Sequence, residues 1–423
     1  MKRHMRFAAA AFATVLWLTA APASAQQTCP VPLGGILTLT GTMGDIGKNI
    51  ADTAQMAADQ INAAGGVKGC PLQFILRDDQ GQPAVGVDAA KNLVEVSKVQ
   101  AIIGSIGSGV SLPILTSVAV PGKVTMVSCC STAPTFTTMA QEGKTQGFWF
   151  RTLPTALLQA VASARISSDQ GWKKTAVLYV NTDFGVNLAK DYKRVLEKFG
   201  GAVTQLVPFN ENQPSYRAEV TKAMEGAPDS MFLVAFPQDG STVARDWISL
   251  GGAQNFLLNN ALRSDQFLNA VGAKFLNNAW GMDNAQVSGA SVEQFNRDYE
   301  ARFKRPPRGP GLHTVYDAVV VTALAMQAAP AIDGAGIRDK MRVVTTPGGT
   351  EVGPGVEGIR QALQLIKDGK PVRYVGATGP FQFDANGDVT GPALIWRIRD
   401  GKFEEVKVLS AADMDALFKQ IGN

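Results

Sequence analysis

The residues best suited to hold a small molecule lie in the segment from Val99 to Phe136. This segment contains two apolar runs, and each ends in a polar turn, GSIGSG at 104–109 and CCST at 129–132. In an open parallel sheet such turns converge at the carboxyl edge, where backbone N–H groups and helix N-termini favour anionic ligand groups. The pattern predicts half of a small-molecule cradle.

Residue patterns typical of catalysis do not accompany this cradle. His313 is the only histidine beyond residue 25, and it has no GxSxG, HExxH or Cys/His partner motif. The three glycines at 41–47 are not spaced as GxGxxG. The adjacent acids Asp78-Asp79 lack the spaced oxygen ligands of a metal site, so we interpret them as a cap or hinge pair. We therefore expect a binding protein, not an enzyme, with no cofactor and no metal.

The first 25 residues have the pattern of a cleaved signal peptide. Lys2, Arg3 and Arg6 precede an uncharged stretch at 7–21, and Ala-Ser-Ala at 23–25 supplies the small residues of a signal-peptidase site. The stretch is too short to span a bilayer. We expect an exported, soluble chain after cleavage at residue 25.

The chain has four cysteines, and export favours the formation of disulfide bonds between them. Cys29 and Cys70 each precede a predicted strand, so they can form a disulfide if those strands are parallel neighbours. Cys29 is not preceded by a lipobox, which argues against a lipid anchor. Cys129 and Cys130 are adjacent; a strained vicinal disulfide is one reading, and two buried thiols acting as apolar filler is the favoured one.

Composition predicts an ordinary globular protein of two lobes. Of the 423 residues 45% are hydrophobic and 18% charged, and the length exceeds what a single core usually serves. Three of the 40 basic residues and none of the 36 acidic ones precede residue 26, so the remaining chain has a formal net charge of only +1. With no basic stripe, we expect no nucleic-acid partner.

Strand and helix patterns alternate along the chain. Four strands are predicted between Gly35 and Val127, a crossing near 148–153, and a second set of strands from Ala176 to Leu258. A hairpin is predicted around 384–388. The pattern predicts an α/β fold of two doubly wound, Rossmann-like lobes.

Several motifs recur in the order and spacing of a known family. They are Ala58–Val67, Arg77-Asp78-Asp79, Thr132-Ala133-Pro134, Phe150-Arg151-Thr152, Asp183-Phe184-Gly185, His313–Ala318 and Phe383–Asp388. Over nearly the whole exported chain they resemble the type I periplasmic solute-binding proteins of the branched-chain amino acid group.

The resemblance implies two lobes joined by a three-strand hinge, closing on a ligand in the periplasm. The first lobe would comprise 29–150 plus 280–346, and the second 151–279 plus 347–423. The partners implied are a small-molecule solute and an ABC permease with its ATPase in the inner membrane, and the protein would be a monomer. A soluble sensory protein that acts on a receptor is the alternative.

The resemblance also assigns ligand-binding residues. Ser108 matches a serine that binds the ligand carboxylate, and Ser131 and Thr132 match donors after the fourth strand. Phe184 and Phe236 match aromatic side chains of the second lobe. A structural role, as caps for the hydroxyls and as core for the rings, is the alternative for each.

The matched sites differ from the family at two positions. Ile46 stands where the family has a first-lobe aromatic. Asn260 stands where an acidic residue pairs with the ligand ammonium, and a buried ammonium without a carboxylate is strongly disfavoured. Four other acids remain candidates for that pairing, although each also fits a helix cap: Asp45, Asp183, Asp239 and Asp265. We therefore expect a carboxylate-bearing solute, either an amino acid or an amine-free aromatic or aliphatic acid or amide.

Overall fold

The computed structural model describes residues 29–422, and the predicted signal peptide at 1–25 lies outside that range. Within the described part of the chain, no helix combines the length and apolar character needed to cross a bilayer.

The chain begins with a five-stranded parallel sheet. Its strands are β1 (Val31–Leu37), β2 (Leu72–Asp78), β3 (Ala101–Gly104), β4 (Thr125–Ser128) and β5 (Trp149–Arg151), in the order β2-β1-β3-β4-β5. The connecting helices are α1 (Gly44–Ala63), α2 (Pro83–Glu95), α3 (Ser108–Ile114) and α4 (Thr135–Gln141). Ile102 and Ile103 belong to different apolar clusters, since successive side chains of a strand point to opposite faces. The four strands predicted here are confirmed.

A second sheet follows. Its first strands are β6 (Lys174–Val180), β7 (Ala202–Phe209), β8 (Ser230–Val234), β9 (Phe256–Leu258) and β10 (Trp280–Asn284). The helices around them are α5 (Ala156–Asp169), α6 (Asp183–Lys198), α7 (Arg217–Ala223), α8 (Pro237–Ser249), α9 (Asp265–Val271) and α10 (Ala273–Leu276). These five strands run parallel in the order β7-β6-β8-β9-β10.

The chain then returns to the first sheet. This return comprises α11 (Ala290–Phe303), α12 (Leu312–Ala328), α13 (Gly334–Met341), β11 (Thr350–Val352), α14 (Gly355–Lys367), β12 (Val372–Gly376) and β13 (Gly379–Pro380). Helix α12 packs against α1, β3 and β4, and α14 packs against α1 and α12. Almost all of α12 is buried, which is consistent with its apolar sequence.

The last elements complete the second sheet. They are β14 (Ala393–Arg399), β15 (Lys402–Leu409) and α15 (Ala411–Gln420), and β14 pairs antiparallel with both β10 and β15. The predicted hairpin around 384–388 is wrong, because its proposed first strand at 381–383 is not a strand. The real hairpin turns at Asp400-Gly401, where both residues have positive φ, as a tight hairpin turn requires.

We call the five-stranded sheet with α1–α4 and α11–α14 the first lobe, and the seven-stranded sheet with its helices the second lobe. The chain crosses between them at 151–156, 284–290 and 380–393. The predicted boundaries at 280 and 346 differ from this division, since β10 pairs with β9 and α14 packs on α1. We propose boundaries after Asn284 and Pro380. Helix periodicity alone does not say which sheet a helix covers.

Cys29 and Cys70 form a disulfide, with 5.2 Å between their Cα atoms. Val31 and Leu72 are paired in the parallel register of β1 and β2, which brings the preceding cysteines together, as expected. Cys129 and Cys130 are free thiols; Cys129 is buried, as the favoured interpretation expects, whereas Cys130 is only half-buried.

Candidate ligand-binding cleft

A cavity of about 580 Å³, its open mouth included, lies between the two lobes. Its long walls are apolar: Met43, Ile46, Ile50 and Ile106 come from the first lobe, and Leu153 from the first crossing. Ile46, which stands where the family has an aromatic side chain, is thus part of this wall. Walls of this kind suit the ring or hydrocarbon chain of a small ligand.

Two of the predicted hydroxyl donors line this cavity. Ser108 lies at the start of α3, is 2% exposed, and its Oγ accepts a hydrogen bond of 3.2 Å from the Ala133 N–H. Because Oγ acts as acceptor there, its hydroxyl hydrogen is free to donate. The Oγ1 of Thr132 has no hydrogen-bond partner among the described residues. Both side chains are therefore placed to serve an anionic ligand group.

The third predicted hydroxyl, Ser131, does not line the cavity. It is fully buried, and its Oγ bonds to the Ser111 hydroxyl at 2.8 Å and to the Ser105 carbonyl at 3.1 Å. The prediction of a ligand contact for Ser131 does not match this geometry. Adjacent residues of an extended loop point in opposite directions, so only Thr132 of the pair faces the cavity.

Arg151 anchors the loop that carries Thr132 through hydrogen bonds to its backbone. The guanidinium donates to the Ser131 and Ala133 carbonyls at 3.2 and 2.9 Å and pairs with Asp388 at 2.6 Å. Arg151 is fully buried, and Asp388 is 5% exposed. Since Asp388 lies within the third crossing, this ion pair ties the first lobe to the hinge. Arg151 fixes the backbone direction that presents Thr132 to the cavity.

Phe184 and Phe236 cover the cavity from the second lobe, where the resemblance placed them. Their ring centroids lie 6.0 Å apart with an interplanar angle of 25°. Gly185 allows α6 to start close to β6, because a Cβ on it would lie 2.0 Å from the Val180 carbonyl oxygen. That close approach sets the position of Phe184. The pair forms an apolar cover, as expected for aromatic side chains at a ligand site.

Asn260 also lines the cavity, and the wall carries no charge. None of the described residues that line it is Asp, Glu, Lys, Arg or His. The alternative acids, Asp45, Asp183, Asp239 and Asp265, are therefore not part of its wall. Asp183 accepts a hydrogen bond of 3.0 Å from Thr135, and Asp239 one of 2.7 Å from the Tyr216 hydroxyl.

Two amide side chains that the sequence analysis did not single out complete the wall. Gln159 of α5 is 1% exposed, and neither its Oε1 nor its Nε2 has a partner among the described residues. Asn284 ends β10, and its Oδ1 is also without a partner there. A single glutamine in the otherwise small and apolar run ALLQAVAS was the available signal. It becomes informative only when the buried face of α5 is known.

Hydrogen bonds across the mouth show that the lobes are closed on each other. Thr42 of the first lobe donates to Glu211 of the second at 3.0 Å, and Thr135 donates to Asp183. Burial raises the pKa of Glu211, and the hydrogen bond from Thr42 offsets part of that rise. Glu211 lines an outer pocket that shares Ser108 and Phe236 with the cavity.

The remaining chemically suggestive residues have structural contacts. His313 packs on Phe295 and lies 3.1 Å from the Asn296 amide oxygen, and burial lowers its pKa to about 3, so it is neutral. Asp79 accepts hydrogen bonds from the Thr38 and Ser105 hydroxyls. Among residues 29–422, no three metal-ligating side chains cluster.

Two lobes of parallel α/β architecture, three crossings and an interlobe cavity define the class of hinged binding proteins. A model of the periplasmic binding protein family matches residues 30–402, so the chain belongs to that family. One relative is a chemotactic signal transduction substrate-binding protein, BasB, from Halobacterium salinarum, 26% identical over 90% of each chain. Another is Leu/Ile/Val-binding protein homolog 3 from Brucella melitensis, 25% identical over 88% of this chain and 92% of its own.

Solved structures share this fold. The leucine-binding protein LivK from Thermotoga maritima matches with a TM-score of 0.77 at 21% identity, over 91% of this chain and all of its own. LivJ from Streptococcus pneumoniae, in complex with isoleucine, matches with a TM-score of 0.73 at 21% identity, over 90% of this chain and 99% of its own. A solute-binding protein from R. palustris, in complex with benzoate, matches with a TM-score of 0.71 at 16% identity, over 90% of this chain and 96% of its own. The same fold thus holds an amino acid in one protein and an amine-free acid in another.

Proposed function

We propose that this chain is the periplasmic substrate-binding component of an ABC importer, and that its solute is a small carboxylate without an ammonium group. The observation that carries the proposal is the cavity wall. It supplies hydroxyl groups at Ser108 and Thr132 and, among the described lining residues, no charged side chain.

A carboxylate fits this wall better than a zwitterion does. Hydrogen bonds to a charged group contribute about 1.5 to 3 kcal/mol each, so a few donors replace much of the hydration of one carboxylate. An ammonium in the same cavity would face Asn260 in place of an acid. A buried ammonium without a carboxylate partner is strongly disfavoured, whereas a carboxylate keeps the hydroxyl donors of Ser108 and Thr132, so amino acids should bind weakly.

Closure of the two lobes would couple binding to delivery. Phe184 and Phe236 cover the solute from the second lobe, and Thr42 and Glu211 meet across the mouth only when the lobes are together. A ligand that touches both walls stabilises the closed state. The permease would recognise that state, with a monomeric binding protein as the carrier.

A sensory role is the second candidate, favoured by the chemotactic name of one relative. The two roles predict different partners. A transport protein loaded with solute should stimulate ATP hydrolysis by its permease and ATPase complex in proteoliposomes. A sensor should bind a receptor instead and leave that ATPase unchanged.

The solute class can be tested by thermal denaturation of the protein lacking residues 1–25. The panel comprises leucine, isoleucine, valine, aromatic and aliphatic carboxylates, and their amides. A saturating ligand raises the melting temperature by mass action, so carboxylates without an amine should give the largest shifts. If branched-chain amino acids gave the largest shifts and amine-free acids gave none, the proposed solute class would be wrong.

A further inference from the structure

We infer that Gln159 donates a hydrogen bond from its Nε2 to the carboxylate of the solute, as a third donor beside Ser108 and Thr132. This inference rests on the proposed function, because the carboxylate is the one proposed there. It assigns a contact with that group to helix α5, where the sequence motifs placed no ligand-binding residue.

Backbone hydrogen bonds bring the first turn of α5 against the loop that carries Thr132. The Ala156 N–H, at the start of α5, donates to the Thr132 carbonyl at 2.7 Å. On the same loop, the Ala133 N–H donates to the Ser108 Oγ at 3.2 Å. Gln159 lies three residues after Ala156, and residues at that spacing lie on one face of a helix. Ser108, Thr132 and Gln159 therefore surround one part of the cavity, which all three line.

The amide of Gln159 is available for a ligand. Gln159 is 1% exposed, and neither its Oε1 nor its Nε2 has a hydrogen-bond partner among the described residues. The Oγ1 of the neighbouring Thr132 is unpaired there as well. Leaving buried polar groups unpaired is unfavourable, and nearly all of them in folded proteins have partners. A solute group that accepts from both side chains would reduce that cost on binding.

The chemistry of these side chains favours an ionised acid as that group. The Nε2 of Gln159 offers two N–H donors, and the hydroxyls of Ser108 and Thr132 offer one donor each. A carboxylate has two acceptor oxygens and no donor, so it can use all three side chains. An ammonium has only donors and would face these N–H and O–H groups. Because none of the described lining residues is charged, neutral donors must replace the hydration of the carboxylate.

This contact would also join the two lobes. Ser108 and Thr132 belong to the first lobe, whereas α5 packs against β10 and β14 of the second. A carboxylate that is held by all three side chains touches both lobes, so its binding stabilises the closed state.

Gln159→Glu tests the contact directly in the protein lacking residues 1–25. The variant keeps the shape of the side chain and puts an ionisable group where the amide lay. Two carboxylates cannot share this place while both are ionised, so the variant must take up a proton when the solute binds. The probe is whichever of benzoate and 4-methylpentanoate gives the larger thermal shift with the unmodified protein.

Isothermal titration in buffers of different ionisation enthalpy counts that proton. At about pH 8, where a free glutamate is ionised, Gln159→Glu should take up about one proton more per bound probe than the unmodified protein does. Its affinity should be at least about tenfold lower there and should approach that of the unmodified protein as the pH falls. Using the difference between the two proteins cancels protons taken up elsewhere, for example by Glu211.

Gln159→Leu removes the donors and adds no charge. It should weaken binding of the probe by about tenfold, the loss of one hydrogen bond to a charged group. The ligand-free variant should melt no lower than the unmodified protein, because no protein partner is lost. Gln170→Glu, at the exposed end of the same helix, is the matched control. It should keep the probe affinity within about twofold and take up no additional proton.

Three results would each overturn the inference: no additional proton for Gln159→Glu, unchanged probe affinity in Gln159→Leu, or a lower melting temperature of ligand-free Gln159→Leu. With any of these, tight binding of the probe by the unmodified protein would leave the proposed function standing. Binding of leucine but of neither probe by the unmodified protein would overturn both.

Discussion

The polar groups of the cavity wall are supported in two different ways. Behind Ser108 and Thr132, the Ser111 and Ser131 hydroxyls bond to each other, the Ser128 hydroxyl donates to the Ser105 carbonyl, and Arg151 holds the loop carbonyls. On α5, the amide of Gln159 is unpaired among the described residues. The protein thus preorganises its hydroxyl donors and leaves the Gln159 amide without a partner of its own.

This difference shows how one fold serves different solutes. A preorganised wall gives affinity for a common group, because the donors need no rearrangement on binding. Unpaired groups give selectivity, since only a ligand with the complementary atoms satisfies them. In this chain the common group would be the carboxylate.

The largest expected effect comes from breaking the support of the Thr132 loop. Arg151→Met leaves the buried Asp388 carboxylate without its ionic partner, so it should lower the free energy of unfolding by about 3 to 5 kcal/mol. Urea denaturation followed by tryptophan fluorescence would measure this. The loss should be accompanied by weaker solute binding, since the loop at Thr132 loses its anchor.

A matched control for that variant is Arg165→Met. Arg165 pairs with Asp169 at 2.8 Å on the surface of α5, and exposed pairs contribute about 0 to 1 kcal/mol. If both variants lost the same small amount of unfolding free energy, Arg151 would not be the support of the Thr132 loop. Should Arg151→Met fail to fold, Asp388→Asn tests the same pair while keeping its polar shape.

The next effect separates Ser108 from Ser131. Ser108→Ala should weaken carboxylate binding by about tenfold to a hundredfold, the loss of one hydrogen bond to a charged group, and should also lower the melting temperature, because the buried Ala133 N–H loses its acceptor. Ser131→Ala should lower the unfolding free energy by about 1 to 2 kcal/mol too, but it should change affinity much less, so affinity separates the two residues. Titration calorimetry and thermal denaturation of both variants give the comparison, and the opposite pattern would restore Ser131 as the ligand contact.

The smallest effect concerns the mouth of the cavity, where Thr42 and Glu211 meet. Because burial in the closed state raises the pKa of Glu211, its ionised form opposes closure. Closure should therefore be strongest at low pH and weaken as the pH rises through the raised pKa. Relative to Glu211→Gln, solute affinity should fall by a few-fold as the pH rises from the ordinary range of a carboxyl group through the raised pKa of Glu211.

Comparing the two proteins at each pH cancels the ionisation of the solute itself. A constant ratio of their dissociation constants across that range would show that Glu211 does not titrate with closure.

The residues that line the cavity differ in how far the sequence predicts them. Ser108, Thr132, Phe184, Phe236 and Asn260 were all predicted and all line the cavity, because each belongs to a turn or strand end that the motifs locate. Their contacts with a ligand stay predictions. Ser131 was misplaced, since a one-residue difference decides which side of a loop a hydroxyl faces.

Gln159 and Asn284 were missed for a different reason. Their position depends on how α5 packs against β10, a contact between segments more than 100 residues apart. The alternation of strands and helices predicted both sheets. It did not predict that α14 packs on the first lobe, because an amphipathic helix fits the face of either sheet equally well.

The central claim is that the solute carries a carboxylate and no ammonium. Leucine and 4-methylpentanoate differ only in the amino group, so titrating both into the same protein isolates that group. The account predicts that 4-methylpentanoate binds at least about tenfold more tightly, since the cavity wall offers an ammonium no carboxylate. Tighter binding of leucine would contradict it.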